Sequence, residues 1–250
     1  MKKVARMVML DMYACFHPIS ICLFIIVGIL YGSFEISQSW QPSGKLFLFY
    51  ACGGIKPGFD SYQLSVWLIG GLSIIVPMGR WLESEFRMRK NAMHRYGSLA
   101  NWYQVKMISC AVVAFGAATI QFLTSFIILS LQNHSGMEIT DIPVVMGMQI
   151  NNILRYYRIN ILMVCFTMTP TPLSRTASII SVSSEVMIYV ASILTYRWFP
   201  TPLCIMDSDW SLPTTLLVSL GVCIIYVITA YIRTNKYYST EGLHDKEEYS

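Results

Sequence analysis

The sequence predicts an all-α integral membrane protein with six transmembrane helices and both termini in the cytoplasm. Hydrophobic residues make up 54% of the 250 residues and charged residues only 13%, about half the charged share of a soluble domain. Long apolar segments recur along the chain, and most basic residues fall in alternate connections between them. The same composition excludes a disordered chain and a disulfide scaffold. The prediction is therefore a chain that lies mostly in lipid.

Six segments are apolar for long enough to cross a bilayer, which takes about 20 residues. The predicted spans are residues 14–34, 63–81, 107–131, 153–172, 176–196 and 212–232. Arg155 and Arg158 lie near one end of the fourth span, and Pro170 and Pro172 lie near the other. No connection is long enough to bury a core of its own. Residues 1–250 are therefore predicted to form a single transmembrane domain.

The basic residues predict the orientation, because Lys and Arg are retained on the cytoplasmic side of a membrane. With both ends inside, all but five of the 18 basic residues lie on the cytoplasmic side. The five that lie outside are Lys45, Lys56, Arg155, Arg158 and Arg197. Lys106, next to the third span, is expected to extend its ammonium group to the headgroup layer.

The first residues predict a short amphipathic helix ahead of the first span. Residues 2–6 carry three basic side chains, and Val4, Met7 and Val8 are spaced to share one helical face. Such a helix can lie flat on the inner leaflet, held by anionic lipid and shallow apolar burial. The alternative is a basic flank that only orients the first span, and the sequence leaves both interpretations open.

The connection between the second and third spans, residues 80–106, has the pattern of a charged amphipathic helix. Glu83 precedes Arg87 by four residues and Glu85 precedes Arg89 by four. This order favours ion pairs within a helix. The spacing therefore predicts that the second span continues as a helix beyond the membrane.

A tight corner is predicted at the end of that helix. Gly97 is placed to end it in a left-handed conformation, and Ser98 is placed to cap the next helix. A charged helical corner that faces the cytoplasm is suited to docking another protein, whereas a plain run of charges would only be solvated. We favour the docking surface, because the paired charges, an apolar face and the Gly-Ser corner occur together.

This region resembles the permease subunits of type-2 ABC exporters. The resemblance lies within residues 66–107 and is carried by Trp67, Gly79, Glu83 or Glu85, the run Arg95, Tyr96, Gly97 and Ser98, Trp102 and Lys106. More narrowly, the chain resembles small Firmicutes permeases linked to peptide or bacteriocin export or immunity. Its six-span layout and its Pro-containing outer segment, residues 199–202, are similar to theirs as well.

The resemblance implies a function as well as a layout. In that family the corner docks as a coupling helix into a separate cytosolic ABC ATPase. The implied docking and coupling residues are Glu83, Glu85, Arg87, Arg89, Arg95, Tyr96, Gly97 and Trp102. A bacterial plasma-membrane exporter of an amphipathic peptide or other hydrophobic cargo would also include a second permease copy or paralogue, surrounded by membrane lipid. ATP and Mg are expected on the ATPase, because this chain has no G-x-x-x-x-G-K-[ST] motif.

Glu185 is the most unusual residue of the predicted fifth span. A carboxylate near the middle of a bilayer costs about 2.5–3.5 kcal/mol on insertion scales, so it should face protein or water. It is predicted either to line a translocation path or to form hydrogen bonds at a helix or subunit interface, where Ser181, Ser183 and Ser184 are close in sequence.

Motifs of enzymes and metal sites are absent from the sequence. There is no H-E-x-x-H and no G-x-S-x-G motif, and the four histidines are scattered along the chain. We expect no metal, no nucleic-acid partner and no catalysis by this chain. An integral membrane enzyme would have to depend on Glu185 or His94. The main alternative to a permease is a membrane immunity or sensor protein that binds a peptide without transporting it.

Overall fold

The predicted all-α fold is confirmed for the part of the chain that the structure, a computed structural model, describes. This part comprises residues 2–38, 61–87, 96, 98–131, 142–167, 174–195 and 212–247. It contains seven helices and no strand. The helices are α1 (Lys2–Cys15), α2 (Pro18–Gln38), α3 (Ser61–Arg87), α4 (Leu99–Leu131), α5 (Ile142–Thr167), α6 (Ser174–Thr195) and α7 (Leu212–Glu247).

Two helices are long and apolar enough to cross a membrane by themselves, within the residues described. They are Ala100–Ile128 in α4 and Leu216–Arg233 in α7. Helices α1 and α2 meet the same test as a pair bent by 66°, which gives a third crossing if the pair is one span. Large apolar side chains such as Leu123 and Leu217 are exposed on α4 and α7. Such exposed apolar surface supports a membrane protein.

The fourth predicted span differs most from the structure. Helix α5 begins at Ile142, well before the predicted start at residue 153, and ends at Thr167. Arg155 and Arg158 therefore lie near the middle of the helix and are buried, rather than near its outer end as predicted. Hydropathy placed the span too late because Asn151, Asn152 and the two arginines interrupt the first half of an otherwise apolar helix.

Helix α4 lies at the centre of the bundle and packs on α1, α2 and α5, while α5 also packs on α3, α6 and α7. Helices α2 and α4 approach each other closely at Gly28 and Gly32. A Cβ atom at Gly28 would lie 2.7 Å from the backbone oxygen of Gln121, and Ser125 Oγ donates a hydrogen bond of 2.8 Å to the Gly28 carbonyl. Small residues four apart allow this contact, as is typical of membrane helix pairs.

Helices α1 and α2 meet at a sharp bend. The His17 carbonyl accepts the N–H groups of Ser20 and Ile21, and Pro18 opens α2. Proline suits this first position, because its missing N–H has no helical partner there and its φ angle is already helical. The bend turns α1 away from the axis of α2 and lays it against α3 and α4.

The face of α1 that contacts protein is the one that the first of the two open interpretations placed on the inner leaflet. Val8 is buried, and Val4 and Met7 are partly buried against the core. These three residues therefore pack on the protein, and the prediction that they rest on the inner leaflet is wrong. The sequence did not distinguish the faces because α1 carries apolar residues on both of them.

Candidate functional site

The corner before α4 has the cap that the sequence predicts. Ser98 Oγ accepts the backbone N–H of Asn101 at 3.2 Å, and the Ser98 carbonyl accepts the N–H of Trp102 at 3.1 Å. The Asn101 side-chain amide donates a hydrogen bond of 3.3 Å to the Tyr96 carbonyl. These bonds fix residue 96 against the first turn of α4, whereas Gly97 lies outside the described residues.

Close to this corner, near the start of α4, Lys106 joins three segments of the chain. Lys106 Nζ lies 2.9 Å from both carboxylate oxygens of Asp11 in α1 and 2.7 Å from Glu85 Oε1 near the end of α3. The exposed fractions of the Lys106, Asp11 and Glu85 side chains are 0%, 5% and 14%. A single cation therefore holds two carboxylates from different helices in a space nearly closed to water.

Polar and aromatic side chains complete this arrangement. Ser109 Oγ donates a hydrogen bond of 2.7 Å to Asp11 Oδ2, and the Tyr96 hydroxyl donates one of 3.3 Å to Glu85 Oε1. The centroids of the Trp81 and Tyr96 rings lie 4.4 and 5.3 Å from Lys106 Nζ, within the range of cation–π attraction. The six residues are named the Lys106 cluster: Asp11, Trp81, Glu85, Tyr96, Lys106 and Ser109.

The Lys106 cluster joins α1, α3 and α4 through buried charges. Buried charges are tolerated only when they are paired and their remaining polar atoms are bonded, and removing one partner typically costs about 3–5 kcal/mol. Burial raises the pKa of the Tyr96 hydroxyl to about 12, so the phenol is neutral and donates to Glu85 at neutral pH. Both carboxylates contact the ammonium group of the lysine.

Sequence reasoning missed this cluster. Lys106 was expected to reach the headgroup layer, but its side chain is fully buried, so that prediction is wrong. One signal was available: Asp11 is the only acidic residue before Glu35 and falls among apolar residues. An isolated carboxylate and an isolated lysine beside apolar spans each need a partner of opposite charge.

The structure describes four of the predicted docking residues in full. Tyr96 and Trp102 are buried, and Glu85 belongs to the Lys106 cluster. Glu83 is exposed. The structure does not describe the side chain of Arg87, or any part of Arg89, Arg95 and Gly97. The predicted ion pair between Glu85 and Arg89 therefore lies outside the described residues.

An open groove of about 460 Å³ runs between α3 and α6. Its walls are mainly apolar, with two charged residues and two serines, and are formed by Leu72, Ile75, Val76, Gly79, Arg80, Glu83, Ser178, Ile179, Val182 and Ser183. Its volume is within the range of about 300–1,000 Å³ that is typical of ligand sites. Glu185 lies on α6, two residues after Ser183, but its side chain is outside the described part.

Polar side chains also join the helices deeper in the bundle. Gln121 Nε2 donates to Ser73 Oγ at 2.8 Å, and Asn160 Nδ2 donates to the Cys110 carbonyl at 3.0 Å. Ser219 Oγ donates to a buried asparagine of α5, Asn151, at 2.6 Å. Such bonds link α3, α4, α5 and α7 at buried positions.

Two further findings concern ligands and relatives. Among the described residues, no group of three or more His, Cys, Asp or Glu side chains could hold a metal ion. A comparison of the chain with family models, curated proteins and solved structures finds no match.

Proposed function

We propose that this chain is the permease subunit of an ATP-driven exporter in the bacterial plasma membrane. It forms six spans with both ends in the cytoplasm, pairs with a second permease, and is moved by a separate cytosolic ATPase. The observation that carries the proposal is the Lys106 cluster. It ties the end of α3, the start of α4 and the N-terminal helix together at the corner where the ATPase would dock.

The cluster supports the proposal because it makes the corner mechanically stiff. Asp11 and Glu85 share one ammonium group, so moving α3 away from α4 leaves a buried carboxylate without its cation. That separation costs about 3–5 kcal/mol, the typical effect of breaking a buried pair. A displacement of the corner is therefore passed to both helices as one unit, as coupling to ATP hydrolysis requires.

A proline in α3 provides a point at which this helix can bend when the corner moves. Pro77 has no N–H for the carbonyl four residues earlier, that of Ser73, so the helix is weakened there. The groove between α3 and α6 extends on both sides of this position, from Leu72 to Glu83. Bending α3 at Pro77 would change the width of the groove, and its mainly apolar walls suit an amphipathic peptide or another hydrophobic cargo.

The first test is association with the ATPase. The chain is co-expressed with a candidate ABC ATPase and purified through a tag on the permease. Replacing Arg87 and Arg89 together by alanine should abolish co-purification, because Arg87 ends α3 and Arg89 follows it in the sequence of the predicted docking segment. Arg233→Ala on α7 is the matched control and should retain the ATPase. Unchanged association of the double variant would contradict the docking assignment.

The second test is transport. Vesicles that contain the complex should move a fluorescent amphipathic peptide when ATP is supplied, and an ATPase with its catalytic glutamate replaced should not support this. Cells that remain protected from a peptide when the ATPase is catalytically inactive would instead favour the sensor or immunity function, in which the chain binds peptide without transporting it.

A further inference from the structure

The outward face of α1 has a composition different from its inward face. Arg6, Met9, Leu10 and Tyr13 are exposed, with exposed fractions of 60%, 53% and 76% for Met9, Leu10 and Tyr13. Their positions follow the i, i+3, i+4, i+7 spacing of one continuous helical stripe. We name these four residues the α1 stripe. It places three large apolar side chains beside one cation on a surface that no described segment covers.

The α1 stripe carries positive charge only. Asp11 is the single acidic residue of α1, and it is turned inward, where it binds Lys106 and Ser109. Residues 2–6 add two lysines to Arg6 in the first turns of the helix. The burial of Asp11 therefore removes the only carboxylate of α1 from this surface.

The geometry of α1 suits a surface parallel to the membrane. Its axis is bent by 66° from that of α2. If α2 crosses the bilayer, α1 runs closer to the membrane plane than to its normal. A helix with a basic end and an apolar stripe, inclined in this way, binds at the boundary between headgroups and acyl chains.

We propose that the α1 stripe docks on a leaflet that contains anionic lipid. Met9, Leu10 and Tyr13 enter the acyl boundary, and Arg6 pairs with lipid phosphate or another anionic headgroup. A second copy of the chain fits this surface poorly, because a symmetric contact would oppose one basic stripe to another. An anionic leaflet matches both the charge and the apolar area.

Docking of the stripe would also act on the Lys106 cluster. The opposite face of the same helix carries Asp11, so a leaflet that holds α1 in place holds this carboxylate against Lys106. Anionic lipid is therefore expected to stabilise the corner from the N-terminal side. This lipid interaction is separate from the proposed transport function and does not require an ATPase.

The test measures how polar the surroundings of α1 are, using the fluorescence of a dye on the purified chain in lipid nanodiscs. Met9→Cys carries an environment-sensitive dye, in a background where Cys22, Cys52 and Cys204 are serine. The other cysteines, Cys15, Cys110, Cys165 and Cys223, are buried. In discs that contain phosphatidylglycerol, the emission should shift to the blue and be quenched by lipids brominated on their acyl chains. In phosphatidylcholine alone both effects should be several-fold smaller.

Charge variants and changes of salt concentration test whether the anionic lipid headgroup causes the blue shift and the quenching. Arg6→Glu should give the phosphatidylcholine spectrum in both kinds of disc, whereas Arg233→Glu makes the same charge change on α7 and should leave the lipid response intact. Raising the salt concentration should release the unmodified stripe in the same way, without any substitution at Arg6. The proposal is wrong if emission and quenching are the same in both lipids. It is also wrong if the dye is shielded but not quenched by brominated lipid, since protein would then cover the stripe.

Discussion

Replacing Lys106 by methionine tests the Lys106 cluster directly, because it removes the shared cation while keeping a long apolar side chain. Both carboxylates remain: Asp11 would keep only its bond from Ser109, and Glu85 only its bond from Tyr96. These are neutral donors, and neither compensates a negative charge in a site this closed to water. The two carboxylates would then repel each other in the space that the ammonium group now occupies.

The magnitude follows from the burial of the pair. Breaking a buried ion pair by removing one partner costs about 3–5 kcal/mol, and Lys106 contacts two carboxylates whose side chains are 5% and 14% exposed. At about 2–4 °C per kcal/mol for a chain of this size, the melting temperature should fall by about 6–20 °C. Ser109→Ala should cost less, about 1.5–3 kcal/mol, because it removes one hydrogen bond to a charged group.

The assay is thermal unfolding of the purified chain in detergent, followed by tryptophan fluorescence. Lys106→Met is compared in the natural chain and in a chain that carries Asp11→Asn and Glu85→Gln. In that background the Lys106 ammonium group is itself a buried charge without its carboxylates, so the same replacement should cost little or nothing. An equal loss in both backgrounds, or no loss in either, would refute the ion-pair reasoning.

Three further predictions concern packing, capping and ionisation. Gly28→Ala should lower the unfolding free energy by about 1–3 kcal/mol, because its Cβ would lie 2.7 Å from the Gln121 backbone oxygen; Gly221→Ala, with nothing within 4 Å, should be neutral or stabilising in the same thermal assay. Ser98→Ala should cost about 1 kcal/mol in unfolding free energy through loss of the helix cap, and Ser98→Asp should restore it. The Tyr96 hydroxyl should ionise near pH 12 rather than 10. The measurement is the tyrosinate absorbance of the natural chain as the pH rises, from which the absorbance of the Tyr96→Phe variant is subtracted. The unfolded chain loses this proton first, so stability should fall as the pH rises from 10 to 12.

Features that depend on local sequence were predicted well. Hydropathy located the helices α3, α4 and α7, because a long apolar segment can be recognised without knowing what it packs against. The cap at Ser98 followed from one polar residue at the start of an apolar helix, since its hydrogen bonds reach only three or four residues.

Features that depend on distant partners were not predicted. Asp11 and Lys106 are 95 residues apart, and no local pattern says which carboxylate a buried lysine will meet. Both faces of α1 are apolar, so spacing alone could not say which one packs on protein. In α5, the buried Arg155 and Arg158 lower the local hydropathy, which moved the predicted span toward the apolar half of the helix.

The side of the membrane on which the corner lies tests the central claim most directly, since a cytosolic ATPase can move the spans only from inside. Ala100 is exposed in the first turn of α4 and makes a suitable labelling position, as Ala100→Cys. With Cys22, Cys52 and Cys204 replaced by serine, a membrane-impermeant maleimide should label this cysteine only after the cells are permeabilised. Labelling in intact cells would place the corner outside and contradict the permease account.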